Sequence, residues 1–300
     1  MIPITRHLMR ASARVAAALL VSLSSSGCGP RLLHALVPDG GYRLERDLAY
    51  GDLPRQRLDA YLPDGLAGPA PVVVFFYGGR WEAGAKGEFR FVGQALASRG
   101  FVAVIPDYRR YPAVRFPTFV EDGAAAVAWV RSNIGELGGD PGSLHLAGHS
   151  AGAHVAALLA LDHRYLADVG VDREAVTSFV GLAGPYDFLP LDDPTLEEIF
   201  AVEDMATTQP ITFAERSAPP TLLLHGADDA TVLPANSEHL ADALATAGKH
   251  AELKIYPDLG HIGLLIALAA PLRWLAPVLA DVSAFLRATS TAAERAPPPA

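Results

Sequence analysis

Leu144-His145-Leu146-Ala147-Gly148-His149-Ser150-Ala151-Gly152-Ala153-His154-Val155-Ala156-Ala157-Leu158-Leu159-Ala160-Leu161 is the stretch on which the fold turns. A short apolar run, Leu144 to Ala147, passes through Gly148-His149-Ser150-Ala151-Gly152 straight into a helical pattern, His154 to Leu161. A serine on so sharp a strand-to-helix turn is held with its hydroxyl exposed, and the flanking glycines let the backbone crowd together without Cβ clashes. The turn also sets Ser150 at a helix N-terminus, where free N–H groups favour developing negative charge. As a bare string the motif is weak, because Gly, Ser and Ala are abundant here. Its strand-turn-helix setting separates a nucleophile from a glycine-rich connection that Ser150 merely caps.

Outward from this turn, apolar runs recur. Val72 to Tyr77, Phe101 to Ile105, Phe179 to Ala183, Thr221 to Leu224 and Ala251 to Tyr256 read as strands, most of them buried on both faces. Helix-length amphipathic stretches alternate with them at Gly87 to Arg99, Val120 to Ile134, Ala151 to Leu161 and Ala235 to Ala247, and Leu272 to Leu286 would close the chain. Such alternation implies an α/β protein with a mostly parallel, eight-stranded sheet and helices on both faces. Before it, Tyr42 to Tyr50 and Arg57 to Leu62 flank Gly51-Asp52-Leu53-Pro54 and predict an antiparallel hairpin with both strands half exposed. Asp187 to Ser217 breaks the pattern after strand six and is expected as an insertion above the sheet. Gly263 to Ala270 is very apolar but too short to span a bilayer, so it is expected in the core.

The 300 residues suit one large domain over 42–287, with a disordered tail over 288–300. Half the residues are apolar and 19% are charged, which excludes a wholly disordered chain. A net charge of −9 argues against general binding of nucleic acid, which needs clustered cations. The single cysteine, Cys28, can form neither an intrachain disulfide nor a thiolate metal site alone.

Its position says more. Arg6, Arg10 and Arg14 precede the apolar stretch Val15 to Leu23, the order of a signal peptide, with residues 1–27 removed and 28–41 a linker. Leu23-Ser24-Ser25-Ser26-Gly27-Cys28 resembles a bacterial lipoprotein signal, although Ser25 stands where that family usually has Leu. The resemblance implies an exported protein anchored to a membrane through lipidated Cys28, with a periplasmic or secreted protein as the alternative. Removing residues 1–27 leaves 21 basic against 33 acidic residues, a net charge of −12.

The order of elements, the Ser150 turn and the segments that follow resemble the α/β-hydrolase family, in particular the carboxylesterase branch related to hormone-sensitive lipase and kynurenine formamidase. The resemblance covers about residues 42–287. Tyr77-Gly78-Gly79-Arg80-Trp81 looks like the His-Gly-Gly-x-Trp segment of these esterases, with Tyr77 in place of His. It implies an oxyanion hole built from the amides of Gly78 and Gly79, completed by Ala151 after the nucleophile. The family's chain order is serine, acid, histidine, which implies Asp229 as the acid, four residues after His225 of His225-Gly226, with Asp228 as its rival. It implies His261, after strand eight, as the base. His225 and His149 are then expected to brace loops, as are Asp107 and Asp122, while Arg80 could meet a polar or anionic group of a substrate.

The resulting expectation is a serine hydrolase of small or aromatic carboxylic esters, acting through an acyl-enzyme with no cofactor and no metal. An arylformamidase-like amide hydrolase and a non-catalytic, surface-anchored binding protein of the same fold are the alternatives.

Overall fold

In the computed structural model, which describes residues 37–216 and 218–295, eight strands form one sheet. They are β1 (Tyr42–Ala49), β2 (Arg57–Pro63), β3 (Ala70–Phe76), β4 (Val102–Pro106), β5 (Gly139–His149), β6 (Val176–Leu182), β7 (Thr221–Gly226) and β8 (Ala251–Tyr256). Their spatial order is β1-β2-β4-β3-β5-β6-β7-β8. β1 and β2 pair antiparallel, as do β2 and β4, and every other neighbouring pair is parallel. The main helices are α1 (Arg90–Ala97), α2 (Thr118–Asn133), α3 (Ala151–Leu161), α4 (Arg164–Ala167), α5 (Pro194–Ile199), α6 (Ala235–Thr246), α7 (His261–Ile266) and α8 (Val278–Arg295). The expected α/β-hydrolase architecture is therefore present, hairpin included.

The register brings the functional loops together. Phe76 of β3 lies opposite Gly148 of β5, and Gly148 opposite Gly181 of β6. Leu182 pairs with Leu224 of β7, and Gly226 with Tyr256 of β8. The loops carrying Gly78, Ser150, Asp229 and His261 thus all leave the carboxyl edge of the parallel strands, where open α/β sheets place their sites. β3 to β7 are buried throughout their apolar runs, because helices cover both faces.

Several boundaries differ from the sequence reading. The hairpin is not half exposed on both strands: Leu58 to Leu62 of β2 is buried, since β2 lies between β1 and β4 and its one acid, Asp59, is ion-paired at 2.6 Å to Lys86. β5 starts at Gly139 rather than Leu144, because Gly139 and Asp140 pair with Ala70 and Pro71 before a register shift. A 3-10 turn, Lys86–Phe89, precedes α1. The insertion over 187–217 holds α5 and two 3-10 turns, Met205–Thr208 and Pro210–Phe213.

The last helix also departs from expectation. It begins at Val278 and continues to Arg295, well into the stretch expected to be a disordered tail. Thr289 and Ser290 are buried, and Ser290 Oγ donates to the Leu286 carbonyl while accepting from Ser143 Oγ, 2.9 Å from His145 Nε2. A polar seam on β5, Ser143 and His145, partners Ser290, and the Thr289 hydroxyl donates back to the Phe285 and Leu286 carbonyls, so the Thr- and Ser-rich sequence continues the packed helix instead of fraying. The apolar run Gly263 to Ala270 is core, with Leu264, Leu265, Ala267, Leu268 and Ala269 buried. The signal-like segment 1–27, Cys28 and residues 29–36 of the linker lie outside the described residues, as do residues 296–300. Among the described residues no helix is long and apolar enough to cross a membrane.

Candidate active site

Ser150 sits between β5 and α3 with φ 55° and ψ −127°, a left-handed conformation that a residue with a Cβ rarely adopts. The surroundings hold it there. Its N–H donates to the Leu182 carbonyl at 2.9 Å, and its own carbonyl accepts from Ala153 and His154 of α3. A Cβ on Gly148 would fall 2.4 Å from the Gly152 carbonyl oxygen, and one on Gly152 would fall 2.1 Å from that of Phe76. Both flanking glycines are therefore needed for the turn to close.

The loop after β3 packs against this turn. A Cβ on Gly78 would come within 2.9 Å of Ser150 Cβ and 3.0 Å of the His149 carbonyl oxygen. Gly79 has φ 137°, and Arg80 and Trp81 follow at 56° and 59°, so the chain coils tightly around the two glycines. Among the described residues no hydrogen bond takes up the amides of Gly78, Gly79 or Ala151. Donors in this state are what an oxyanion requires.

Tyr77, at the position where the family has His, braces the loop from below. Its ring stacks on Phe89 and Tyr108 with centroids 5.0 and 4.8 Å away. Its hydroxyl donates to Asp107 at 2.6 Å and accepts from Arg55, while Tyr108 donates to the Tyr77 carbonyl. Asp122 accepts from Arg109 through Nε and Nη2, one edge of the guanidinium, and through the backbone N–H. Asp107 and Asp122 are thus structural anchors, as expected. Arg80 is engaged rather than open: it pairs with Glu82 at 3.1 Å and with Asp193 at 3.0 Å, fastening the Gly78–Gly79 loop to the insertion.

On the far side of Ser150, Asp229 and His261 come together. Asp229 Oδ2 lies 2.7 Å from His261 Nδ1. A carboxylate can only accept there, so Nδ1 carries the hydrogen and Nε2 is left with its lone pair. Asp229 Oδ1 accepts the N–H groups of Thr231 and Val232 at 2.9 and 3.0 Å. Burial pushes this carboxyl up, but the N–H groups of His225, His261 and Val232 outweigh it and hold it well below the usual carboxylate range. Asp228 is exposed, and its backbone N–H is taken by Leu259, so the geometry favours Asp229. His239 and His250 pair with surface carboxylates elsewhere.

Two further histidines complete the arrangement. His225 is fully buried; its Nε2 donates to the Val232 carbonyl at 2.9 Å and lies 3.2 Å from Asp229 Oδ2, while Nδ1 meets Ser237 Oγ at 2.8 Å. Expected to brace a loop, it also contacts Asp229. The signal was in the sequence, since His225 opens the string that marked Asp229. His149 places its Nε2 3.2 Å from the His261 carbonyl oxygen, which fixes Nε2 as the donor. Burial, with the nearby His261 adding to it, lowers His149 to about 3, so it is a neutral strut between the Ser150 turn and His261. Among the described residues no hydrogen bond links the Ser150 hydroxyl to His261; in unliganded sites this contact is often long and closes with substrate. Nor does any group of three or more His, Cys, Asp or Glu among them form a metal-binding cluster.

Known proteins share this framework. Esterase B of Lactobacillus rhamnosis aligns with a TM-score of 0.78 over 94% of this chain and 97% of its own, at 20% identity, which speaks for the fold. Thermogutta terrifontis esterase 2, solved phosphoramylated by tabun, aligns with a TM-score of 0.70 at 25% identity over 84% of this chain and 96% of its own. In sequence, a probable isoprenylcysteine alpha-carbonyl methylesterase of Oryza sativa subsp. japonica is 35% identical over 76% of this chain, and Esterase LipC of Mycobacterium tuberculosis is 34% identical over 64%. The chain spans 59% and 52% of the lengths of these two relatives. Residues 58–244 match the BD-FAE family, and with the α/β-hydrolase sheet and the Ser150 turn in place, the chain belongs to that family.

Proposed function

We propose that the protein is a serine hydrolase of small carboxylic esters. The observation that carries the reading is the 2.7 Å contact of Asp229 with His261 Nδ1, which leaves Nε2 as a base beside the turn bearing Ser150. Ser150 Oγ attacks the ester carbonyl as Nε2 takes its proton, and the carbonyl oxygen becomes an oxyanion. The amides of Gly78, Gly79 and Ala151 receive that charge, and one such donor contributes roughly 2.7 to 4 kcal/mol in the transition state. The intermediate collapses, the C–O bond to the alcohol breaks, and His261 returns the proton to the leaving oxygen. Water then attacks the acyl-Ser150 ester by the same path, releasing the acid and restoring the serine. The esterases among the relatives and structural neighbours support this reading.

The test is hydrolysis of p-nitrophenyl acetate by the wild-type protein and by Ser150→Ala. The reading requires turnover in the first and its loss in the second. Absence of turnover in the wild type, or turnover unchanged in Ser150→Ala, overturns it. Export with a lipidated Cys28 belongs to the same proposal and is supported by residues 1–28 alone; mass spectrometry of the membrane fraction should find diacylated Cys28 as the first residue, and an unmodified Cys28 would contradict it.

A further inference from the structure

Ser237 takes no part in the proposed mechanism, yet its side chain makes a contact that leads into it. It sits in the first turn of α6 and is fully buried, as is His225 near the end of β7. Its hydroxyl oxygen lies 2.8 Å from His225 Nδ1. On the other side of that imidazole, Nε2 is 2.9 Å from the Val232 carbonyl oxygen and 3.2 Å from Asp229 Oδ2, and the same carboxylate oxygen is 2.7 Å from His261 Nδ1. Ser237, His225, Asp229 and His261 thus form one unbroken line of polar contacts running from α6 to His261.

The line has one consistent assignment of hydrogens. Val232 and Asp229 offer His225 Nε2 only acceptors, so Nε2 carries a hydrogen. Among the described residues the Ser237 hydroxyl meets no acceptor other than His225 Nδ1. A buried O–H without an acceptor is costly, so the hydroxyl donates there and Nδ1 keeps its lone pair. A second hydrogen on the ring, at Nδ1, would turn that hydroxyl into an acceptor and strand its own hydrogen. Ser237 therefore selects a neutral His225 that donates to Asp229, and the bond received at Nδ1 makes the Nε2 hydrogen a stronger donor.

Asp229 is held in place independently of this contact. Its Oδ1 accepts from the Thr231 and Val232 N–H groups at 2.9 and 3.0 Å, so a weaker donor at Oδ2 changes the charge presented to His261 more than the place of the carboxylate. From β5, His261 faces the imidazole of His149, whose ring centre is 4.7 Å away and which burial keeps neutral. The other titratable groups nearby point to solvent: Asp228 and Asp258 on the flanking loops are exposed, as are Glu238 and His239 beside Ser237 on α6, with His239 paired to Asp187 at 2.7 Å. We propose that Ser237 is a positioning residue of the active site, its hydroxyl fixing the tautomer of His225 that shares the Asp229 carboxylate with His261. This role rests on the ester-hydrolase reading and adds to it a group that touches neither the substrate nor His261.

The experiment follows kcat/KM for p-nitrophenyl acetate against pH in the wild-type protein, Ser237→Ala and Ser237→Thr, with circular dichroism at each pH marking where each protein is folded. The acid limb of that profile reports the base of the free enzyme. Removing the hydroxyl weakens the donor at Asp229 Oδ2, leaves more carboxylate charge for His261 and favours its protonated form. The Ser237→Ala limb should therefore move up by about 0.3 to 1 pH unit, the span of one neutral hydrogen bond. Ser237→Thr keeps the hydroxyl and should return the limb to its wild-type position. A side chain that only filled space would lower activity at every pH alike. A limb that is unmoved or moves down in Ser237→Ala, or stays displaced in Ser237→Thr, overturns the proposal and leaves ester hydrolysis standing. Should Ser237→Ala not fold, nitrogen NMR of the wild-type imidazoles decides: at neutral pH the hydrogen of His225 should sit on Nε2 and not on Nδ1, and the reverse overturns the proposal. A wild-type protein that cleaves no ester overturns the underlying reading instead.

Discussion

The imidazole of His149 lies 4.7 Å from that of His261, tilted 45°, and its Nε2 donates to the His261 carbonyl oxygen across 3.2 Å. One residue thereby links the Ser150 turn to His261, through a bond that an imidazole held neutral by burial can make. His149→Phe keeps a ring of similar size and removes the donor that ties the Ser150 turn to His261. A hydrogen bond of this kind is worth about 0.5 to 1.5 kcal/mol, so kcat should fall several-fold, up to roughly tenfold, while circular dichroism stays native.

The acid can be assigned by substitution. Asp229→Asn should lower kcat by about 10⁴, because the amide favours the wrong tautomer of His261. Asp228→Asn should stay within a few-fold of wild type, since that side chain is exposed. His225→Phe should fall between them, as it removes one of the N–H groups that hold the Asp229 carboxyl down. Steady-state kinetics on one chromogenic ester ranks all three, and a larger loss for Asp228→Asn than for Asp229→Asn would reverse the assignment.

Gly78→Ala tests the proposed oxyanion hole. The added methyl would meet Ser150 Cβ at 2.9 Å and the His149 carbonyl oxygen at 3.0 Å, so either the loop or the serine must shift. Displacing one donor should reduce kcat by about 10² to 10³, with KM and melting temperature less affected. Unaltered kcat would remove Gly78 from the proposed oxyanion hole.

Acid should destabilise the fold early. Burial lowers His145, His149 and His154 to about 3, 3 and 4, against an ordinary value of 6.5. Between those values the unfolded chain binds more protons than the native one, so their contribution is complete above about pH 6.5 and declines as pH falls toward 4. Each group removes at most about 1.4 kcal/mol per pH unit. Urea melts at about pH 7.5 and about pH 5 should show a clearly lower midpoint at the acid value, and equal midpoints would contradict the burial of these imidazoles in neutral form.

The parts legible in the sequence are those whose geometry is local. Gly148-His149-Ser150-Ala151-Gly152 could be read because glycines at fixed offsets are demanded by backbone contacts within a few residues. Asp229 and His261 were legible through chain order, their meeting being set by the register of β7 against β8. What stayed hidden depends on distant partners. Arg80 looked free until Asp193 arrived from the insertion. β2 looked half exposed because its alternating acid, Asp59, is neutralised by Lys86 from beyond β3. The closing helix looked finished near Leu286 because the groups that satisfy Ser290 lie on β5.

Ser150 is proposed to be a nucleophile activated by its surroundings. Treating the purified protein with a fluorophosphonate and mapping the adduct by mass spectrometry reads this directly. A single phosphonyl group on the peptide containing Ser150, absent from Ser150→Ala and strongly slowed in His261→Ala, is the expected result; no adduct, or one that persists in Ser150→Ala, would contradict it.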